Sequence, residues 1–218
     1  MRKLVRGIVD FRNRVRPVAR ETFARLALGQ SPDALFIACS DSRVAVNVFA
    51  STEPGDLFVV RNPGNIVPPA AADGHSVADE SEAAAIEFAV GQLKVADIIV
   101  CGHSSCGAMT ALARGRESVG APHLRAWLRH AERALEPVHD RSAADAADRV
   151  SQANALLQLD HLRTYPVVVR AQQERGLRLH AFWFDIASAE VLVHDPSQGR
   201  FVPLDERQAE RLAPPGAR

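Results

Sequence analysis

The sequence lacks long hydrophobic runs and an excess of charge of one sign. Its apolar stretches, such as residues 34–39, 98–101 and 167–169, fall far short of the roughly 20 residues that a membrane-spanning helix needs. The 26 basic residues balance the 26 acidic ones, so no net field attracts nucleic acid or an anionic membrane surface. We therefore expect neither a nucleic acid nor a membrane as a partner.

An export signal and abundant cysteine are also missing. Charged residues interrupt the first 16 positions, which leaves no room for the apolar core of a signal peptide and predicts a cytoplasmic protein. The three cysteines cannot all pair with one another. In a reducing compartment they would be thiols or metal ligands, so each cysteine is a candidate for metal binding or catalysis.

The chain also has no internal repeat and no Gly/Ser linker. Its 218 residues, 47% of them apolar, predict one globular domain over residues 30–210, with a flexible tail over 211–218. Residues 1–29 carry apolar side chains at helical spacings, and Pro17 predicts a break between two helices. The stripe on this N-terminal helical arm would cover either the protein's own core or a neighbouring subunit.

Short apolar runs alternate with helical patterns along the domain. Strands are predicted over residues 34–39, 57–60, 97–101, 177–186 and 190–195, and helices over 81–93, 120–136, 145–165 and 166–176. Strands that are wholly apolar are typical of a sheet covered on both faces. The order of the elements predicts an α/β fold with a mostly parallel central sheet flanked by helices.

Two of the predicted strands end in possible metal ligands. Cys39 closes the first strand, while His103 and Cys106 follow the third, and the carboxyl ends of parallel strands form one edge where ligands bind. Three Cys and His ligands leave the fourth position of Zn²⁺ open, as in catalytic sites. Cys39 alone would more often be a buried hydrophobe, and Cys101 offers an alternative ligand in a local Cys-x-His-x-x-Cys clip.

A carboxylate and a guanidinium adjoin the first of these cysteines. Asp41 and Arg43 are two residues apart, which allows a charge-assisted pair if the chain turns at Ser42. On a solvated surface such a pair contributes little. Beside a metal ligand it predicts a pair in which Arg43 fixes Asp41 and Asp41 orients the reacting water.

Two motifs resemble those of the β-class carbonic anhydrases. The first is Cys-Ser-Asp-Ser-Arg-Val over residues 39–44, and the second is Gly-His-Ser-Ser-Cys-Gly over residues 102–107. The similarity extends through residues 54–56, 61–65, 85–90 and 179–183, so it covers most of residues 30–195. It implies one zinc ion per chain on Cys39, His103 and Cys106, with Asp41 and Arg43 as the catalytic pair. It also implies a homodimer or homotetramer in which the arm embraces a partner.

The same resemblance implies four substrate-binding residues, and it favours the plant-like branch of the family. These residues are Gln30, Phe58, Phe88 and Gly107. In that branch a glutamine at the position of Gln30 orients substrate across the dimer interface, while the two aromatic positions line an apolar carbon dioxide cleft. The sequence departs from the pattern at Phe88, where tyrosine is common, and at Pro63, where a small aliphatic residue is common.

Another branch of the family is regulated by bicarbonate bound to a tryptophan, an arginine and a tyrosine. The matching positions here are Phe36, Arg61 and Phe184, which keep the charge but lose both polar aromatic groups. We therefore do not expect this form of regulation.

The reaction that the resemblance implies is the reversible hydration of carbon dioxide to bicarbonate and a proton, by attack of zinc-bound hydroxide. Two alternatives stay open on the same residues. One is a related hydrolase of a linear triatomic such as carbon disulfide, since fold does not fix substrate. The other is a non-catalytic, zinc-stabilised interaction module.

Overall fold

A computed structural model describes residues 1–78 and 80–212, and its centre is a six-stranded sheet. The strands are β1 (Ala34–Cys39), β2 (Leu57–Asn62), β3 (Asp97–His103), β4 (Arg178–Asp185), β5 (Glu190–Asp195) and β6 (Arg200–Pro203). They lie in the order β2-β1-β3-β4-β5-β6. The first four are parallel and the last two antiparallel, which confirms the predicted α/β class.

Strand β1 lies between β2 and β3, and all six of its residues are buried. Leu35 and Ile37 pack in one core cluster, whereas Phe36 and Ala38 pack in another. Because successive side chains point to opposite faces of a sheet, both faces of β1 must be covered. This double burial explains why the run is wholly apolar.

Strands β2 and β3 each continue two residues beyond the predicted ends. The ladder pairs Cys39 with Asn62 and His103 with Phe184, although the apolar runs have already stopped. Backbone hydrogen bonds, rather than side-chain hydrophobicity, carry these last residues to the sheet edge. The extension brings His103 to the end of its strand.

Helices cover both faces of the sheet. They are α3 (Val46–Phe49), α4 (Ser81–Glu87), α5 (Gly107–Ala113), α6 (Pro122–Leu128), α7 (Ala146–Leu162), α8 (Pro166–Arg175) and α9 (Glu206–Leu212). The helix predicted over 81–93 ends in a π-helical segment, Phe88–Gln92, and the one predicted over 120–136 ends in a 3₁₀ segment, Arg129–Leu135. Helix α8 begins at Pro166 and ends before Gly176, which takes a left-handed φ of 70°.

The N-terminal arm bends just before Pro17 but stays helical, where the sequence predicted a break between two helices. Helix α1 (Arg2–Asp10), a π-helical segment (Phe11–Val15) and α2 (Arg16–Leu26) follow one another without an interruption, and Pro17 lies in the first turn of α2. The rings of Phe11 and Phe23 nevertheless lie 6.4 Å apart, whereas a straight helix would separate these residues by about 18 Å along its axis. Proline has no backbone N–H and cannot donate to the preceding turn. The chain therefore bends at the π-helical segment before Pro17.

The arm leaves its apolar stripe uncovered. None of the residues of α1, the π-helical segment or α2 is buried. Leu4 is 62% exposed and Ile8 is 58% exposed. The stripe thus does not cover the chain's own core, which was one of the two expectations from the sequence.

The C-terminal region contains two elements that the sequence pattern did not reveal, β6 and α9. Arg211 of α9 lies 2.8 Å from the buried carboxylate of Asp195 at the end of β5, which ties the helix to the sheet. Residues 211 and 212 of the predicted tail are thus helical, and 213–218 lie outside the described residues. Among residues 1–78 and 80–212, no helix combines the length and the apolar character that crossing a bilayer requires.

Candidate metal centre

Three possible metal ligands lie close together at the ends of two neighbouring strands and at the start of the helix that follows one of them. Cys39 is the last residue of β1, His103 is the last residue of β3, and Cys106 caps the start of α5. One ligand atom from each residue lies within 4.8 Å of the other two, and all three residues are buried. The structure thereby brings together the three residues that the resemblance implied as metal ligands.

His103 is held in the tautomer that a metal ligand needs. Its Nδ1 lies 2.9 Å from the carbonyl oxygen of Ser104, and a carbonyl can only accept a hydrogen bond, so Nδ1 carries the proton. Nε2 then presents a lone pair. That atom is buried and has no hydrogen-bond partner, a costly state for a polar atom unless a ligand binds there.

The two cysteines are close enough for one thiol to donate a hydrogen bond to the other sulfur. Their sulfurs lie 4.0 Å apart, and the backbone N–H of Gly64 donates to Cys39 Sγ at 3.3 Å. The hydrogen bond with Cys106 is the main cause that lowers the pKa of Cys39 to about 4. The same bond and burial raise the pKa of Cys106, because a second thiolate beside the first lacks a compensating charge. A divalent cation supplies that charge and displaces the proton, so the donor set fits zinc.

Asp41 and Arg43 form the predicted pair. Arg43 donates from Nε to Asp41 Oδ1 at 2.9 Å and from Nη2 to Oδ2 at 2.7 Å, and its backbone N–H also donates to Oδ1. These hydrogen bonds hold the pKa of Asp41 well below its usual range. The carboxylate is therefore ionised at neutral pH and can only accept hydrogen bonds.

Arg61 is a site residue whose role the sequence did not reveal. Its guanidinium donates to the carbonyl oxygen of Cys39 at 3.0 and 2.7 Å and to that of Asp41 at 2.7 Å. It thereby fixes the backbone that carries both Cys39 and Asp41. The sequence named Arg61 only within the motif Arg-Asn-Pro-Gly-Asn over residues 61–65 and at a regulatory position of another branch, because its contacts join neighbouring strands and not neighbouring residues.

Cys101 lies outside the ligand cluster. It is fully buried in the core with Phe36 and Phe184, and burial raises the pKa of its thiol to about 12. A thiol of that kind stays protonated and is a poor metal ligand. The cluster found among the described residues contains Cys39 instead, so the geometry favours the trio over the local clip.

The four expected substrate residues are not gathered at one place in a single chain. Gly107 follows Cys106 and begins α5, whereas Gln30 is exposed in the connection between the arm and β1. The rings of Phe58 and Phe88 lie 5.7 Å apart. Phe58 is four residues before Asn62, the last residue of β2, which places it about 13 Å from the strand end beside Cys39.

Comparison with known proteins agrees with this architecture. The family model described as carbonic anhydrase matches residues 34–191. A carbonic anhydrase of Pseudomonas aeruginosa is 42% identical over 214 residues, covering 97% of this chain and 95% of the relative. The solved β-carbonic anhydrase CcaA superposes with a TM-score of 0.86 at 39% identity, covering 95% of this chain and 93% of that one.

Another solved structure resembles the chain as a whole. It is one of two tetrameric β-carbonic anhydrases from Sordaria macrospora, with a TM-score of 0.72 and 31% identity, and the match covers 94% of this chain and 98% of that one. The fold and the site together define an α/β zinc enzyme. The chain belongs to the carbonic anhydrase family, in its β class, whose members are zinc lyases that hydrate carbon dioxide reversibly.

Proposed function

We propose that Cys39, His103 and Cys106 hold one zinc ion per chain, and that Asp41 and Arg43 assist the reversible hydration of carbon dioxide there. The observation that carries this assignment is the buried, unpartnered Nε2 of His103, a residue that clusters with two cysteines whose sulfurs lie 4.0 Å apart. Bound zinc supplies a Lewis acid that makes water ionise near neutral pH. The chain's own groups then orient the reactants and control the proton.

Asp41 acts as a fixed hydrogen-bond acceptor. Its Oδ1 receives two hydrogen bonds from Arg43, from Nε and from the backbone N–H, whereas Oδ2 receives one and keeps a second lone pair for the reacting water. By accepting a hydrogen bond from that water, the carboxylate directs the oxygen's own lone pair toward carbon dioxide. Because Arg43 keeps Asp41 ionised, the carboxylate has no proton to donate and acts only as a hydrogen-bond acceptor.

Zinc analysis and a hydration assay test this assignment together. We expect stoichiometric zinc and fast carbon dioxide hydration in the wild-type protein, and Asp41→Asn should keep the zinc but lose about 10–100-fold in kcat/KM. Carbon disulfide should not be consumed. Zinc without hydration would support the interaction module, and hydrolysis of carbon disulfide alone would support the other enzyme.

The functional unit is proposed to be a homodimer or homotetramer. The uncovered stripe on the arm supports this proposal, because large apolar surfaces left exposed mark interaction sites. The position of Phe58, far from the ligand edge of its own chain, adds to the support. We infer that Gln30, Phe58 and Phe88 complete the carbon dioxide cleft of a neighbouring subunit, whereas Gly107 serves its own.

A cytoplasmic location is proposed on the chemistry of the thiols. Cys39 and Cys106 are free, with sulfurs 4.0 Å apart. An oxidising compartment would favour a disulfide between such thiols and so compete with zinc. A reducing compartment keeps both available as ligands.

Membership of the plant-like branch is proposed from Gln30 and from the aromatic cluster near Arg61. Phe49 stacks on Phe184 at 4.7 Å and lies 6.1 Å from Phe36, so apolar rings fill this region. A desolvated bicarbonate ion needs hydrogen-bond donors, which the side chains of Phe36 and Phe184 do not offer. Regulation by bicarbonate at this place is therefore not expected.

A further inference from the structure

The peptide that joins Pro63 to Gly64 touches the metal centre from outside the ligand set. Its N–H, on Gly64, donates to Cys39 Sγ at 3.3 Å. Its carbonyl oxygen, on Pro63, accepts from Trp127 Nε1 at 2.8 Å. One peptide unit thus links an indole donor at one end to a ligand sulfur at the other.

A second side chain holds the next carbonyl along the chain. Asn154 of α7 donates from Nδ2 to the oxygen of Gly64 at 2.9 Å, and its own oxygen accepts from Gln158 Nε2 at 2.7 Å. Asn154 and Gln158 are fully buried. Buried polar side chains are costly unless they are hydrogen-bonded, so these two are committed to holding this loop.

The backbone at Gly64 leaves little freedom for another arrangement. Its φ is +81°, a left-handed value that favours glycine, and a Cβ there would lie 2.8 Å from Met109 Cε of α5. The loop is therefore pressed against the helix that follows Cys106. A rigid fit of this kind makes the direction of the N–H dependent on the side chains that hold the two carbonyls.

We propose that Trp127 and Asn154 are positioning residues that aim the Gly64 N–H at the sulfur of Cys39. The hydrogen bond from Trp127 polarises the peptide, which strengthens the N–H as a donor to the thiolate. Partners outside the first coordination sphere commonly set metal affinity by orienting and tuning the ligands. The inference rests on the proposed ligand role of Cys39.

The test uses substitutions that remove single hydrogen bonds. Trp127→Phe deletes the indole N–H while keeping an aromatic ring, and Asn154→Ala deletes the donor to Gly64. Tyr165→Phe is the matched control, because the Tyr165 hydroxyl donates to the carbonyl of Pro68 in the same loop at 2.6 Å without touching a ligand. Zinc release to a chelator, followed by absorbance, gives a readout that does not depend on catalysis.

We expect Trp127→Phe and Asn154→Ala to release zinc about tenfold faster than the wild type, and Tyr165→Phe to release it at the wild-type rate. In the cobalt-substituted protein, a weaker hydrogen bond from the Gly64 N–H to Cys39 should shift the thiolate-to-cobalt charge-transfer band to longer wavelength. If Asn154→Ala does not fold, Trp127→Phe alone decides.

Two outcomes overturn the inference. One is a wild-type release rate and an unchanged cobalt spectrum in folded Trp127→Phe. The other is equally fast release from Tyr165→Phe, because general loosening of the loop would then explain the effect. Failure of the proposed function looks different, since the wild-type protein itself would then lack stoichiometric zinc or would bind it without Cys39.

Discussion

The guanidinium of Arg43 connects the two loops that carry the metal ligands, because the nitrogen that binds Asp41 Oδ2 at 2.7 Å also donates to the carbonyl oxygen of Ser105 at 3.1 Å. Asp41 follows the ligand Cys39, and Ser105 precedes the ligand Cys106. One side chain therefore fixes the carboxylate of Asp41 relative to both segments.

Replacing Arg43 with lysine should reduce kcat/KM about 10–100-fold, because an ammonium group cannot make two parallel hydrogen bonds to a carboxylate. The pKa of Asp41 should rise toward its ordinary value of about 3.9 once the main cause of its depression is gone. Asp41 would still be ionised above pH 6, so the loss should be uniform from pH 6 to 9. Stopped-flow assays across that range measure it.

A matched control for Arg43→Lys is Arg149→Lys, which alters an exposed ion pair with Asp145 on α7. Such pairs contribute little, so activity and stability should stay near wild type. A loss of activity in Arg43→Lys that is confined to the acidic limb would contradict the positioning role and indicate a titration effect instead.

The catalytic efficiency of the wild-type enzyme should increase from pH 7 to pH 9. Zinc held by this cluster would have two cysteine ligands and the Asp41 carboxylate nearby, and their negative charges would oppose the loss of a proton from water bound there. Its pKa should therefore exceed the value of about 7 found at three-histidine zinc sites. A profile of kcat/KM that is flat or falling between pH 7 and 9 would refute this.

Cys39→Ala should abolish zinc retention, whereas Cys101→Ala should keep the metal and cost about 1 kcal/mol of stability. The reason is that Cys39 offers its sulfur to the cluster while Cys101 packs in the core. Zinc analysis after gel filtration and urea unfolding of both variants provide the measurements. Stoichiometric zinc in Cys39→Ala would remove the ligand assignment.

Charges on the arm should dissociate the assembly. Leu4, Ile8, Phe11 and Val15 recur at helical spacing, and all of them are exposed in the single chain. The double variant Leu4→Glu/Ile8→Glu should shift the mass measured by light scattering from a multiple of 23.6 kDa to that of one chain. The control variant Lys3→Gln/Arg6→Gln changes the polar face of the same helix and should leave the mass unaltered. If the mass is unaltered in the Leu4→Glu/Ile8→Glu variant as well, the arm does not form the interface.

Mixed assemblies should show whether Gln30 serves a neighbouring site. A Cys39→Ala chain lacks the metal ligand and a Gln30→Ala chain lacks the substrate contact, so each homomer should have low activity. A purified mixed dimer contains one site with both groups if Gln30 acts across the interface, and it should recover about half of the wild-type activity. Activity no greater than the mean of the two homomers would show that Gln30 acts within its own chain.

The sequence was sufficient for the features that depend on local pattern. The wholly apolar run over residues 34–39 predicted the first and the last residue of β1, since both faces of that strand are buried. The motifs around Cys39 and around His103 predicted which residues meet, because adjacent parallel strands present their carboxyl ends at one edge. The resemblance to the β class then supplied the chemistry.

Tertiary structure decided what depends on partners distant in sequence. Trp127 and Pro63 are 64 residues apart, and Asn154 and Gly64 are 90 apart, so no local pattern connects them. Residue types and their spacing determined which ligands the chain offers, whereas the direction of each donor was set by packing, because a hydrogen bond depends on position and angle in space.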